Sequence, residues 1–452
     1  MNDVDNYSVT KNACKLCNPL GASLAFKGIE NAITILHGSQ GCSTYIRRYM
    51  ISHFKEPIDI ASSNFSEDTA IFGGTSNLKM SIDNIRAQYS PDLIGVATTC
   101  LSETIGDDIE RLVKEYITEH ENENLPKIVP VSTPSYSGTH FEGFVNAISS
   151  LVTHVAESDG AKEGGVNVFS GMISPADIRY IKEIFDDFNL NYILCPDYSD
   201  TLDGGLWTEY SKIPKGGTPL ASIRKMGNSN ASIEFGRIVA EMNSTGKILM
   251  KNHDVRNYPC GLPIGINETD RFFEIVEKIS KKETPLKYSY EKERLIDAYA
   301  DGHKYVFGLK ACLYGEEDLV VGLSSFLDEV GIAPIICASG GKSGYLKDKV
   351  GEVVSNINVK DITFLDDSDF GDIEEKVEEL KPDLIIGNSK GYKIAKHFNI
   401  PLIRVGFPIH DRFGASRILH LGYRGAQELF DRIVNAVIEK KQESSPVGYT
   451  YI

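Results

Sequence analysis

Three cysteines, Cys17, Cys42 and Cys100, stand in loop segments rather than in apolar strand runs. The segments read CNPLGA (17–22), HGSQGC (37–42) and TTCLSE (98–103). Each has Gly, Pro or small polar neighbours and lies where a loop leaves or enters an expected strand. Thiols in such loops can point into shared space. Soft iron is best held by soft sulfur, so three loop thiolates make a half-cage for an iron–sulfur cluster. Cys42 precedes the helical stretch STYIRRYMISHF, which contains Arg47 and Arg48. A helix N-terminus and nearby positive charge both favour the thiolate that a metal needs. Gly38 and Gly41 suit a close approach of backbone to something bulky. Ser135, in STPSYSG after another expected strand, offers a hard oxygen to oxidised iron; taken alone it reads as a turn residue.

Other groups carry less chemistry. Cys14 and Cys17 form a CxxC, but no second pair stands at zinc-site spacing. A redox CxxC opens a helix after a strand, whereas this one follows a polar tail, so Cys14 reads as a bystander. Cys195, Cys260, Cys312 and Cys337 sit in apolar, strand-like contexts and read as packed small hydrophobes. SGGKSG (339–344) resembles part of a phosphate loop, but Ile336 stands where the pattern needs a Gly, and no ATP hydrolysis is expected. His37 and His53 lie near the cysteine loops, where histidines often donate hydrogen bonds. Glu103, Asp107 and Asp108 read as acids at a helix start.

The elements that must position these residues alternate. Expected strands are 32–36, 93–97, 128–131, 166–169, 192–195, 305–309, 334–337, 362–365, 384–387 and 402–405. Helical patterns lie between them, at 107–116, 175–188, 373–380 and 426–440. Such alternation implies α/β architecture with parallel sheets flanked by helices. Ligands then bind beyond the carboxyl ends of the strands, where Cys42 and Cys100 fall. PDLIGVATTC (91–100) echoes PDLIIGNSKG (382–391), which suggests that one kind of domain recurs. Boundaries are placed near 163–165 and 299–303, giving domains 1–163 with the cysteines, 164–300, and 301–452 with a C-terminal helix.

Composition narrows the class. A chain of 452 residues exceeds one ordinary core. A net charge of −16 without a basic stripe argues against nucleic acid as a partner. No apolar run is long enough to span a bilayer, and MNDVDNYSVT lacks a secretory pattern. A reducing, cytoplasmic compartment follows, in which the cysteines are thiols or metal ligands.

CNPLGA, HGSQGC, HFKEP, SEDTAIFGG, TTCLSETIGDD and TPSYSG, with LDGG, IGNSKG and PLIRVGFPIHDRFG farther on, resemble the beta-type chains of nitrogenase component 1. The likeness runs from about Ala13 to about Lys440. It implies three Rossmann-like α/β domains and an α2β2 heterotetramer with a homologous alpha-type subunit. It implies an [8Fe-7S] P-cluster shared between the two chain types. Carried over, Cys17 and Cys100 would be terminal ligands, Cys42 a bridging ligand, and Ser135 a ligand of the oxidised cluster. No catalytic residue is implied here, because the catalytic cofactor sits in the alpha-type partner. This chain would relay electrons delivered by an ATP-dependent iron protein. PDYSDTLDGG also resembles the N-type scaffold subunit of cofactor maturation, which implies a [4Fe-4S] cluster instead. That scaffold lacks part of the cysteine set and the serine, and all four positions are present here. The short N-terminal arm and the ending SSPVGYTYI depart from typical beta chains and leave room for a substrate other than dinitrogen.

Overall fold

The computed structural model describes residues 12–446. MNDVDNYSVT and the last six residues of SSPVGYTYI lie outside them.

Three parallel sheets follow one another along the chain. The first holds β1 (Ala32–His37), β2 (Ala61–Ser62), β3 (Leu93–Thr98) and β4 (Lys127–Val131), in the order β2-β1-β3-β4. The second holds β5 (Val166–Phe169), β6 (Tyr192–Leu194), β7 (Ala231–Phe235) and β8 (Arg256–Cys260), in the order β6-β5-β7-β8. The third holds β9 (Lys310–Gly315), β10 (Ala333–Ser339), β11 (Thr363–Leu365), β12 (Leu384–Gly387) and β13 (Leu402–Arg404), in the order β11-β10-β9-β12-β13. Every strand pair is parallel, so helices must cross over between strands, and both faces of each sheet are covered. That is why β1 and β3 are mostly apolar and buried at every residue.

In the first sheet the strand order reverses between β1 and β3, which pair in parallel from Ala32↔Leu93 to His37↔Thr98. Connections leave these neighbours in opposite directions, and a crevice opens beyond their carboxyl ends. Cys42 follows β1 and Cys100 follows β3. The third sheet reverses likewise between β9 and β12, which are followed by Glu316 and by Asn388–Lys390.

The helix Asn18–Lys27 is buried along all ten residues. It lies against the helix His140–Val155, and glycines allow the approach. A Cβ on Gly21 would stand 1.6 Å from the His140 carbonyl oxygen, and one on Gly143 would stand 1.9 Å from that of Asn18. The helix Gly422–Ser444 returns from the third unit to pack on helices Gly265–Ser280 and Leu286–Val306. Asp177 accepts the backbone N–H groups of His420 and Leu421 at 2.7 and 3.0 Å, which ties this return to the second unit.

The structure corrects several expected elements. Residues 305–309 do not form a strand. They are the end of the helix Leu286–Val306 and a turn through Gly308 at φ +81°, and the strand begins at Lys310. The strands β2, β7 and β8 had no strong apolar run to announce them. Among the described residues no helix is long and apolar enough to cross a membrane.

Candidate functional site

All three loop cysteines stand at helix N-termini. Cys17 is the N-cap of Asn18–Lys27, whose Pro19 suits the first turn, where an N–H has no intrahelical partner. Cys42 is the third residue of the helix Gln40–Phe54, and Ser39 Oγ lies 3.9 Å from its sulfur. Cys100 opens the helix Cys100–Ile105 behind Thr99, which forms a capping box with Ser102. The helix dipole at these ends favours anionic sulfur.

Ser135 joins two of these ends. Its backbone N–H donates to the Cys100 sulfur at 3.2 Å. Its Oγ accepts the N–H of Asn18, next to Cys17, at 3.1 Å. Asn18 Nδ2 donates to the Pro134 carbonyl at 3.3 Å, so the serine loop is held from both sides. Burial raises the Cys17 thiol above its usual range; the Ser135 hydroxyl opposes this, and the nearby Cys100 and Cys42 sulfurs add to it. The four expected ligand residues thus gather at one site. Cys17 and Cys42 are half-buried and Cys100 is exposed.

A metal–sulfur group can be tested against this donor set. Soft thiolates at helix N-termini suit iron, and the adjacent hydroxyl suits oxidised iron. Among the described residues no three His, Cys, Asp or Glu side chains are arranged for a single metal ion. Ile71 and Phe72, at the end of the helix Glu67–Phe72, and Tyr136, next to Ser135, are exposed apolar residues.

The remaining residues singled out in the sequence do other work. His37 is buried, with Nδ1 3.1 Å from Ser63 Oγ and Nε2 3.1 Å from Asp107 Oδ2. It braces the loop after β1. His53 does not face the cysteines: its Nδ1 accepts the Ile409 N–H at 2.8 Å, it packs on Phe407, and burial holds its pKa down at about 3. Of the three acids only Asp108 caps a helix, accepting the Arg111 N–H at 3.0 Å. Asp107 instead accepts the Gly74 N–H, and Glu103 accepts the hydroxyls of Thr98 and Ser132. Arg47 donates to the Ile58 carbonyl at 2.9 Å.

Cys14 is buried in the third unit, and burial pushes its thiol up to about 12. Cys195, Cys260 and Cys337 are buried with thiols likewise pushed up to about 12, and Cys312 is raised for the same reason. SGGKSG does not cradle a phosphate. A Cβ on Gly340 would meet the Cys14 carbonyl at 2.5 Å, Ser343 Oγ donates to Glu317 at 2.6 Å, and the next helix starts only at Leu346.

Two groups escaped the sequence reading. His140 Nδ1 accepts the Leu16 N–H at 3.3 Å, which leaves the proton on Nε2 to donate to Glu316 at 2.8 Å. This buried pair ties the segment before Cys17 to the third unit. Lys390 donates to the carbonyls of Ala13 and Lys15. No local pattern marks either residue.

Residues 17–438 match the nitrogenase component 1 type oxidoreductase family. The chain is 36% identical over 441 residues to the nitrogenase molybdenum-iron protein beta chain of Clostridium pasteurianum, covering 97% of this chain and 95% of that one. It is 33% identical over 439 residues to the nitrogenase iron-molybdenum cofactor biosynthesis protein NifN of a Nostoc species, covering 97% and 95%. A solved structure titled nitrogenase Cp1 at pH 6.5 superposes with a TM-score of 0.94 at 34% identity, covering 100% of this chain and 98% of that one. The family match, the length covered and the fold agree: this chain belongs to the nitrogenase component 1 oxidoreductase family, as a nitrogenase-like subunit of the beta type.

Proposed function

We propose that this chain holds half of an [8Fe-7S] P-cluster and relays electrons through it in a nitrogen-fixing or nitrogenase-like α2β2 complex. The observation that carries this reading is the gathering of Cys17, Cys42, Cys100 and Ser135 at the carboxyl edge of the first sheet. When bound, such a cluster supplies one-electron steps at sulfur-ligated iron.

The chain's own residues define the rest. Cys17, Cys42 and Cys100 would hold the cluster through their sulfurs, Cys17 and Cys100 as terminal ligands and Cys42 as a shared one. Ser135 holds Cys100 by its N–H and accepts the Asn18 N–H with its Oγ, and that hydroxyl would offer oxidised iron an oxygen ligand. The exposed side of Cys100 faces the homologous alpha-type chain, which completes the ligand set and carries the catalytic cofactor. This chain contributes no catalytic residue. An ATP-dependent iron protein delivers the electrons, and the complex works in the cytoplasm, where thiols stay reduced. The three units are domains with boundaries near 163 and 300, the first holding the cluster.

Relatives of 33% identity include a cofactor-biosynthesis protein, so a scaffold bearing a [4Fe-4S] cluster is the competing assignment. Acetylene reduction by the co-purified complex with a matching iron protein separates the two. Turnover is expected. A complex that stores and releases a cofactor precursor without turnover would assign it to the scaffold role.

A further inference from the structure

The loop after β12 reads Asn388, Ser389, Lys390, Gly391, and it closes the second PDLI repeat as Thr98–Cys100 closes the first. It stands where the strand order of the third sheet reverses, between β9 and β12. Its backbone is held firmly. The Lys390 N–H donates to Asn388 Oδ1 at 3.0 Å, the Gly391 N–H to the Tyr314 hydroxyl at 3.2 Å, and Asn388 Nδ2 to the Phe407 carbonyl at 3.0 Å.

From this fixed base the side chain crosses to the segment that leads into Cys17. Nζ donates to the carbonyl oxygens of Ala13 at 2.9 Å and Lys15 at 3.1 Å. Among the described residues no carboxylate lies within ion-pair distance of it. The ionisable groups within its electrostatic reach are the Cys14 and Cys17 thiols. Burying an ammonium without an anion is costly. Cys14 is packed in an apolar core. Cys17 stands two residues beyond the Lys15 carbonyl that the ammonium holds, so this charge lies beside the approach to the ligand.

We propose that Lys390 is a positioning residue for Cys17: it pins the two carbonyls before the ligand, and its unbalanced charge makes the bound iron–sulfur group easier to reduce. This deepens the function proposed above and rests on it. The charge argument is general, because cluster potentials follow the net charge and hydrogen bonding around the sulfurs.

The test uses the co-expressed complex carrying wild-type chain, Lys390→Met, Lys390→Gln or Lys390→Arg. Iron per complex and the midpoint potential from an EPR-monitored titration are read for each. Lys390→Met and Lys390→Gln are expected to shift the reduction equilibrium tenfold or more toward the oxidised form, about 59 mV for a one-electron step. Lys390→Gln keeps a donor for the carbonyls, so it isolates the charge from the anchoring. Lys390→Arg should stay near wild type. Full iron loading with an unchanged midpoint in both neutral variants overturns the inference while leaving the cluster assignment standing. A wild-type complex without iron and sulfide overturns the cluster assignment, and this inference with it.

Discussion

The backbone N–H of Ser135 points at the sulfur of Cys100 across 3.2 Å, while the Oγ of the same serine accepts the N–H of Asn18. One loop residue thus ties two helix N-termini, from segments far apart in sequence, into one site. The hydroxyl and the amide do different jobs, and substitution can separate them.

Ser135→Ala keeps the N–H bonded to Cys100 and removes the acceptor for Asn18. The loss is that of a helix N-terminal cap, about 1 kcal/mol. A small fall in thermal midpoint is expected, with iron retained in the reduced complex. The EPR signature of the oxidised state should change. An oxidised spectrum identical to wild type would remove Ser135 from the ligand set.

Gly21→Ala tests how the site depends on packing behind it. The added Cβ has no room beside the His140 carbonyl, and backbone cannot yield as a flexible side chain can. The helix that Cys17 caps must shift, and overpacking of this kind costs about 1–3 kcal/mol or more. Loss of iron is expected together with a lowered midpoint of unfolding. Full iron content in a destabilised variant would show that the close approach of the two helices does not position the thiol.

Asp318 gives a pH dependence remote from the cysteines. It is buried and accepts the N–H groups of Ile238 at 2.7 Å and Val239 at 3.2 Å, yet burial outweighs these bonds and raises its pKa from 3.8 to about 6. The folded state therefore binds the proton more tightly than the unfolded state. The stability this contributes is full below pH 3.8 and is lost as pH rises through about 6. Between pH 7 and pH 4.5, wild type should gain on Asp318→Asn by about 2 kcal/mol. Chemical denaturation of both proteins across that range measures the difference, and a constant gap would refute the raised pKa.

Much of this was legible locally. The apolar runs of β1, β3, β5 and β12 announce buried parallel strands, and the Pro and acids of 175–187 announce a helix start. The cysteine loops were legible because short polar segments after buried strands have few structural reasons to hold thiols. Other parts were not. YVFGL at 305–309 has strand composition, but its first two residues end a helix, and Gly308 then turns the chain toward β9. ASIEF at β7 mixes a buried glutamate with apolar residues; that carboxylate is satisfied by Ser244 and the Gly246 N–H, which no strand pattern encodes. The pairing of His140 with Glu316 and the reach of Lys390 to Ala13 span 176 and 377 positions, so only the folded chain reveals them.

The most direct measurement is iron and acid-labile sulfide per complex, taken in parallel for wild type, Cys42→Ala and Cys14→Ala, each co-expressed with the alpha-type partner. Cys42 bridges in this account and Cys14 is a packed thiol. Wild type and Cys14→Ala should carry the same iron and sulfide, and Cys42→Ala should lose most of both. Iron stripped by Cys14→Ala and spared by Cys42→Ala would contradict the ligand assignment on which the function rests.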